Sequence, residues 1–122
     1  MTRVLVVEDE ALIAMLLEEM LADRGYTVAG HGTNLTDASE LARTLDVDVA
    51  ILDVSLAGEE VFPVATILRE RGIPFLFTTG YGAAGLPPAW SGRPVFTKPY
   101  DIEPLTECLQ QLVQHPVGVP DS

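Results

Sequence analysis

The chain has 122 residues, 48% of them apolar, with mean hydropathy +0.26; this is the size of one domain with enough apolar surface for a full core, and global disorder is excluded. Seven Lys and Arg stand against 18 Asp and Glu, a net charge of −11, which argues against a nucleic-acid backbone or an anionic membrane as partner and suits divalent cations and basic protein patches. The single cysteine, Cys108, excludes an internal disulfide and a cysteine-built metal site, and it fits a reducing cytoplasm.

Val4-Leu5-Val6-Val7 is a short β-branched run cut off by Glu8-Asp9-Glu10. It reads as a strand buried on both faces, and it is too brief for the core of an export signal. Residues 11–24 place Ile13, Leu16, Leu17 and Met20 at helical spacing. They predict a helix with that stripe as its core face, Ala11, Met15 and Ala22 opposite, and Gly25 as its stop. A second strand over 26–30 is weakened by glycines at its end. Residues 35–45 predict a second helix capped by Asn34 or Thr36. A third strand, 49–52, ends on Asp53, and a third helix over 60–71 tolerates Pro63 because it lies in the first turn. Residues 75–78 form a fourth strand. The stretch 80–94 is broken by glycines and prolines and predicts no helix of useful length, and Trp90 is expected to pack this irregular segment onto the body. The uncharged run 72–92 therefore reads as strand plus loop and not as a membrane span. A short fifth strand over 95–97 and a last helix over 102–114, with Asp101 as cap and a Leu105, Leu109, Leu112 stripe, complete the domain. Residues 1–115 are read as the domain and 116–122 as a tail.

Alternating strands and helices imply a parallel sheet covered on both faces. Five strands in this length fit a doubly wound, flavodoxin-like α/β fold of order 2-1-3-4-5, with the fourth helix short, irregular or absent. In that order ligands bind outside the carboxyl ends of the strands. Those ends carry Glu8-Asp9, Asp53, Thr78-Thr79 and Lys98. Any one alone reads as a solvated loop start, a cap or a turn residue. Four strand ends together supply what one site needs: carboxylates that a hard divalent cation relieves, an Asp able to accept a phosphoryl group, and a lysine and a hydroxyl to hold its charge.

The set Val7-Glu8-Asp9-Glu10, Leu52-Asp53, Thr79-Gly80 and Lys98-Pro99-Tyr100 resembles the response-regulator receiver domain of two-component signalling, over nearly the whole chain. The stretch from Gly72 to Gly82 resembles a subgroup of single-domain receivers with a Phe-x-Thr-Gly-Tyr signature, linked to stress signalling in alphaproteobacteria. The resemblance implies Asp53 as phosphoacceptor and Thr79 as the hydroxyl that contacts the phosphoryl group, with Thr78 the alternative. It implies that Lys98 ion-pairs with that group, that Mg2+ is held by Asp9, Asp53 and the Ser55 backbone carbonyl with Glu8 acting through water, and that the Lys98–Pro99 bond is cis. It also implies a sensor histidine kinase or histidine phosphotransfer protein as donor, docking on the first helix. Val95 stands where the family carries its switch aromatic, so the coupled threonine–aromatic switch is expected to be absent. The segment 82–93 is expected to change its order on phosphorylation, with Tyr81 reporting it. With no output domain after the fold, the chain is expected to signal by protein contact to an unknown downstream protein or to act as a phosphate sink. It is expected to bind neither DNA nor membrane and to be a phosphoacceptor, not an enzyme. An Asp-nucleophile phosphohydrolase is the alternative, disfavoured because Asp53-Val54-Ser55-Leu56-Ala57 lacks the second Asp of Asp-x-Asp-x-Thr; a phosphorylation-independent scaffold is disfavoured by the intact site. His31 and His115 are read as non-ligands, and Cys108 as a packing residue.

Overall fold

The computed structural model describes residues 2–80 and 86–114. Its strands are β1 (Thr2–Val7), β2 (Tyr26–Gly32), β3 (Val49–Asp53), β4 (Ser55–Leu56), β5 (Glu59–Glu60), β6 (Phe75–Thr79) and β7 (Val95–Thr97). Its helices are α1 (Ala11–Asp23), α2 (Leu35–Thr44), α3 (Phe62–Glu70) and α4 (Ile102–Gln114). The main sheet has the order β2-β1-β3-β6-β7, and all its pairings are parallel. Taken over its five strands, this is the doubly wound order expected from the sequence.

Period-2 alternation divides the central strands between two cores. Leu5, Val7, Ala50, Leu52, Phe75 and Phe77 face α2 and α3, through Ala38, Ala42, Val64, Ala65 and Leu68. Val4, Val6, Val49, Ile51 and Leu76 face α1 and α4, through Leu17, Leu21, Leu105, Leu109 and Leu112. Trp90, at the end of a 3-10 turn over Pro88–Trp90, is buried against Phe62, Phe75 and Phe77 and seals the side where a fourth crossover helix would lie.

Three expectations are corrected. The core stripe of α1 is Ala14, Leu17 and Leu21; Ile13 and Met20 are half-buried and Leu16 is 49% exposed. The helix is apolar nearly all round, so periodicity could not choose between adjacent stripes. The third helix starts at Phe62 and not at residue 60, because Glu59–Glu60 pairs back on Ser55–Leu56 as a small antiparallel hairpin that the sequence did not announce. The second strand runs on to Gly32: a Cβ there would lie 2.8 Å from the Cα of Ala38, so the glycine is what lets α2 close over the strand end. Asn34, and not Thr36, caps α2, its Oδ1 accepting from the Asp37 N–H at 2.8 Å.

Candidate functional site

Parallel strands deliver their carboxyl ends to one edge of the sheet, and that edge holds every site residue expected from the sequence. Glu8 follows β1. Its N–H donates to the Gly32 carbonyl at 3.0 Å, which ties the end of β1 to the end of β2. Its side chain is buried, with Oε2 accepting from the Glu10 N–H at 3.0 Å and Oε1 accepting from Lys98 Nζ at 2.8 Å. Asp53 is the last residue of β3, also buried; Oδ2 accepts from Lys98 Nζ at 2.9 Å and Oδ1 from the Ser55 N–H at 3.3 Å. Thr78 is the register partner of Asp53, Thr79 that of Thr97, and both threonines are buried. The Lys98 N–H donates to the Thr79 carbonyl at 2.8 Å, and the Lys98–Pro99 peptide is cis.

Asp9 is exposed, and its Oδ2 accepts from the Ala57 N–H at 3.1 Å. That donor sits in the turn of the β4–β5 hairpin, where Ala57 (φ +52°) and Gly58 (φ +84°) are both left-handed. Two central residues with positive φ are the requirement of a tight type I′ hairpin turn. The hairpin therefore fixes a backbone donor against Asp9 from the segment that follows Asp53.

Burial raises the Glu8 carboxyl above the ordinary glutamate range; the hydrogen bonds from Lys98 and the Glu10 N–H oppose this, and the charge of Asp53 adds to it. Burial works to lower Lys98, but the hydrogen bonds to Glu8 and Asp53 outweigh it and hold the ammonium above the ordinary lysine range. Carboxylate oxygens of Glu8, Asp9 and Asp53 lie within 4.8 Å of one another. An all-oxygen donor set of this kind fits a hard divalent cation. It opens on a cavity of about 350 Å³ lined by Asp9, Glu10, Asp53, Ser55, Gly80 and Lys98.

A second, apolar cavity of about 330 Å³ lies between α1 and the segment after β7, lined by Ile13, Leu16, Met20, Lys98, Pro99 and Tyr100. Lys98 borders both cavities. Leu12 and Met15, 65% and 51% exposed, continue this apolar surface along α1.

Two contributors escaped the sequence reading. His31, near the end of β2, donates through Nε2 to the Glu8 carbonyl at 2.8 Å. Its signal was positional: β2 ends beside β1, with His31 the register partner of Val6. The Ala57 backbone donor carries no signal in residue identity. Tyr81 lies outside the described residues, so the structure does not place it. In the described part of the irregular segment the helical structure is the turn over Pro88–Trp90.

A doubly wound sheet with an acidic pair, an aspartate, a threonine pair and a lysine at its carboxyl edge defines a phosphoacceptor class of signalling domain. The chain belongs to the response regulator receiver domain family, whose pattern matches residues 4–110. Among curated proteins it is 36% identical over 85 residues to the transcriptional regulatory protein PdtaR of Mycobacterium tuberculosis, covering 69% of this chain and 42% of PdtaR. The chain thus spans less than half the length of that relative. Among solved structures it resembles SdrG of Sphingomonas melonis Fr1 at TM-score 0.80 and 38% identity, covering 93% of this chain and 97% of SdrG. It also resembles the receiver domain of the PhyR response regulator of Erythrobacter litoralis at TM-score 0.79 and 26% identity, covering 99% of this chain and 95% of that one.

Proposed function

We propose that Asp53 accepts a phosphoryl group from a histidine kinase or histidine phosphotransfer protein, and that the phosphorylated domain acts by protein contact. The observation that carries this reading is the position of the Asp53 carboxylate: buried, at the mouth of the polar cavity, with Lys98 Nζ at 2.9 Å and two further carboxylates beside it. In the transfer an Asp53 oxygen attacks phosphorus in line with the leaving group. A P–N bond to the donor imidazole, or a P–O bond of a small donor, breaks as the acyl phosphate forms; the departing imidazole takes up a proton, whereas acetate leaves as the carboxylate. In this reading Lys98 moves from Glu8 onto a phosphoryl oxygen and the Thr79 hydroxyl donates to another.

Asp9, Asp53 and the Ser55 carbonyl would hold Mg2+, with Glu8 acting through water; when bound, the cation neutralises charge on the transferring group. The domain occupies residues 1–115 and the remainder is a tail in this reading. The donor docks on the apolar surface of Leu12, Met15 and Leu16, because the groove there runs to Lys98 and so leads a bound helix to the phosphoryl site.

The test is incubation with acetyl phosphate and Mg2+, read by intact-mass spectrometry. One acid-stable, alkali-labile phosphoryl group is expected, with none on Asp53→Asn. An Asp53→Asn protein phosphorylated at the wild-type rate would overturn the assignment. Turnover of a chromogenic phosphoester would favour the phosphohydrolase instead.

A further inference from the structure

All seven cationic side chains of this acidic chain lie in described residues, and they sort by what they meet. Lys98, Arg24 and Arg43 pair with carboxylates. Arg3 and Arg71 donate to backbone carbonyls, of Asp46 and of Ala42 and Leu45. Arg69 and Arg93 take part in no ion pair among the described residues. Instead they converge on one aromatic cluster, in which the Trp90 and Phe75 rings are tilted by 59°. The Arg69 guanidinium carbon is 4.7 Å from the Trp90 ring centroid, and that of Arg93 is 4.4 Å from Phe75 and 5.9 Å from Trp90.

Cation–π stacking accounts for one arginine on such a cluster, but two features exceed it. A second guanidinium beside the first adds like-charge repulsion. Burial already holds Arg93 below the ordinary arginine range, and the charge of Arg69 lowers it further. Arg93 Nη1 is also buried without a hydrogen-bond partner. That nitrogen is closed to solvent, so an incoming anion meets the other N–H groups of Arg93 and the exposed Arg69, and it relieves the repulsion between the two cations. Two planar forks on a rigid aromatic backing match the bidentate geometry of a carboxylate.

We propose that Arg69 and Arg93, backed by Trp90 and Phe75, form a recognition site for a carboxylate-bearing segment of a partner protein. A polyphosphate backbone is disfavoured by the net charge of −11. A short acidic segment is not, because at physiological ionic strength charges beyond about 8 Å are screened and the local pair decides. The site belongs to the α2/α3 side, whereas the apolar groove lies beside α1. A partner held at the arginines therefore leaves the groove open, which suits a target and not a phosphodonor. The site stands whether or not Asp53 is phosphorylated.

Trp90 is the only tryptophan, so its fluorescence reads the site directly. The chain is titrated with a capped hexaglutamate peptide at 50 mM and 300 mM NaCl, with calorimetry in parallel. A saturable signal is expected, weakened at least about fivefold at the higher salt. Arg69→Gln/Arg93→Gln should lose it, and Arg93→Lys, which keeps the charge but not the fork, should weaken it at least about fivefold. Phosphorylation by acetyl phosphate at the wild-type rate shows that a variant is folded; should the double variant fail this, Arg69→Gln alone, on exposed α3 surface, replaces it. No saturable signal, equal affinity in the glutamine variant, or tighter binding of inorganic phosphate or duplex DNA than of hexaglutamate would overturn the proposal.

Discussion

At the residue scale, strand register sets the two threonines apart. Thr78 lies beside Asp53 in the sheet, while Thr79, the last residue of β6, passes its carbonyl to Lys98. If Thr79 contacts the phosphoryl group, Thr79→Ala removes a hydrogen bond to a charged partner, about 1.5–3 kcal/mol. Stopped-flow phosphorylation from acetyl phosphate should then slow by roughly ten- to a hundredfold, and Thr78→Ala should stay within about threefold. The reverse ranking would move the contact to Thr78. Cys108 gives a pH-dependent prediction. Burial raises its thiol above the ordinary cysteine range, so the folded state disfavours the thiolate. Its contribution to stability is present below the unfolded pKa of about 8.5 and is lost as pH rises through the folded value. Iodoacetamide at pH 8 should alkylate the native protein at least about tenfold more slowly than the urea-unfolded chain; equal rates would contradict the burial.

At the scale of elements, the β4–β5 hairpin carries a cost that can be removed. Ala57 sits at φ +52°, where a Cβ costs about 1–2 kcal/mol, offset in glycine by about 0.5–1 kcal/mol of extra chain entropy. Ala57→Gly should therefore stabilise the fold by about 0.5–1 kcal/mol in urea titration and keep the N–H that meets Asp9. This hairpin was illegible in the sequence because Glu60 read as the start of the third helix and the turn carries only one glycine. Helix α1 was legible in extent but not in facing. Its stripe is read correctly only once the folded chain shows Ala14 buried together with Leu17 and Leu21. The exposed residues left over define the docking prediction. Leu12→Glu should cut phosphotransfer from the cognate donor at least about tenfold while leaving acetyl phosphate labelling unchanged, since Leu12 is exposed on α1 and does not line the cavity that Lys98 borders. Loss of both activities would mean that the residue supports the fold.

At the scale of the molecule, the strand order and the gathering of Glu8, Asp9, Asp53, Thr79 and Lys98 at one edge followed from the alternation of elements and the residue ending each strand. Long-range pairing did the rest: the roles of His31 and Ala57 depend on which strand ends lie side by side, and no local pattern encodes that. The same edge predicts metal-linked stability. Millimolar Mg2+ should raise the melting temperature by relieving repulsion among three carboxylates. Asp9→Ala should abolish most of the rise in a thermal melt, and an unchanged rise would place the ion elsewhere. No helix among the described residues is long and apolar enough to cross a membrane.

The bridge that Lys98 makes between Glu8 and Asp53 has a consequence for ion choice. The lysine is a resident counter-ion, so three negative groups and one positive leave two uncompensated charges. One divalent cation completes electroneutrality; a monovalent ion falls short of it and a trivalent ion overshoots. A divalent metal would therefore meet a vestibule already one-third neutralised. If a phosphoryl group adds two more negative charges, Lys98 is the tethered cation already beside Asp53 to meet them. Valence matching of this kind makes the site's preference a property of its charge count as well as of its shape.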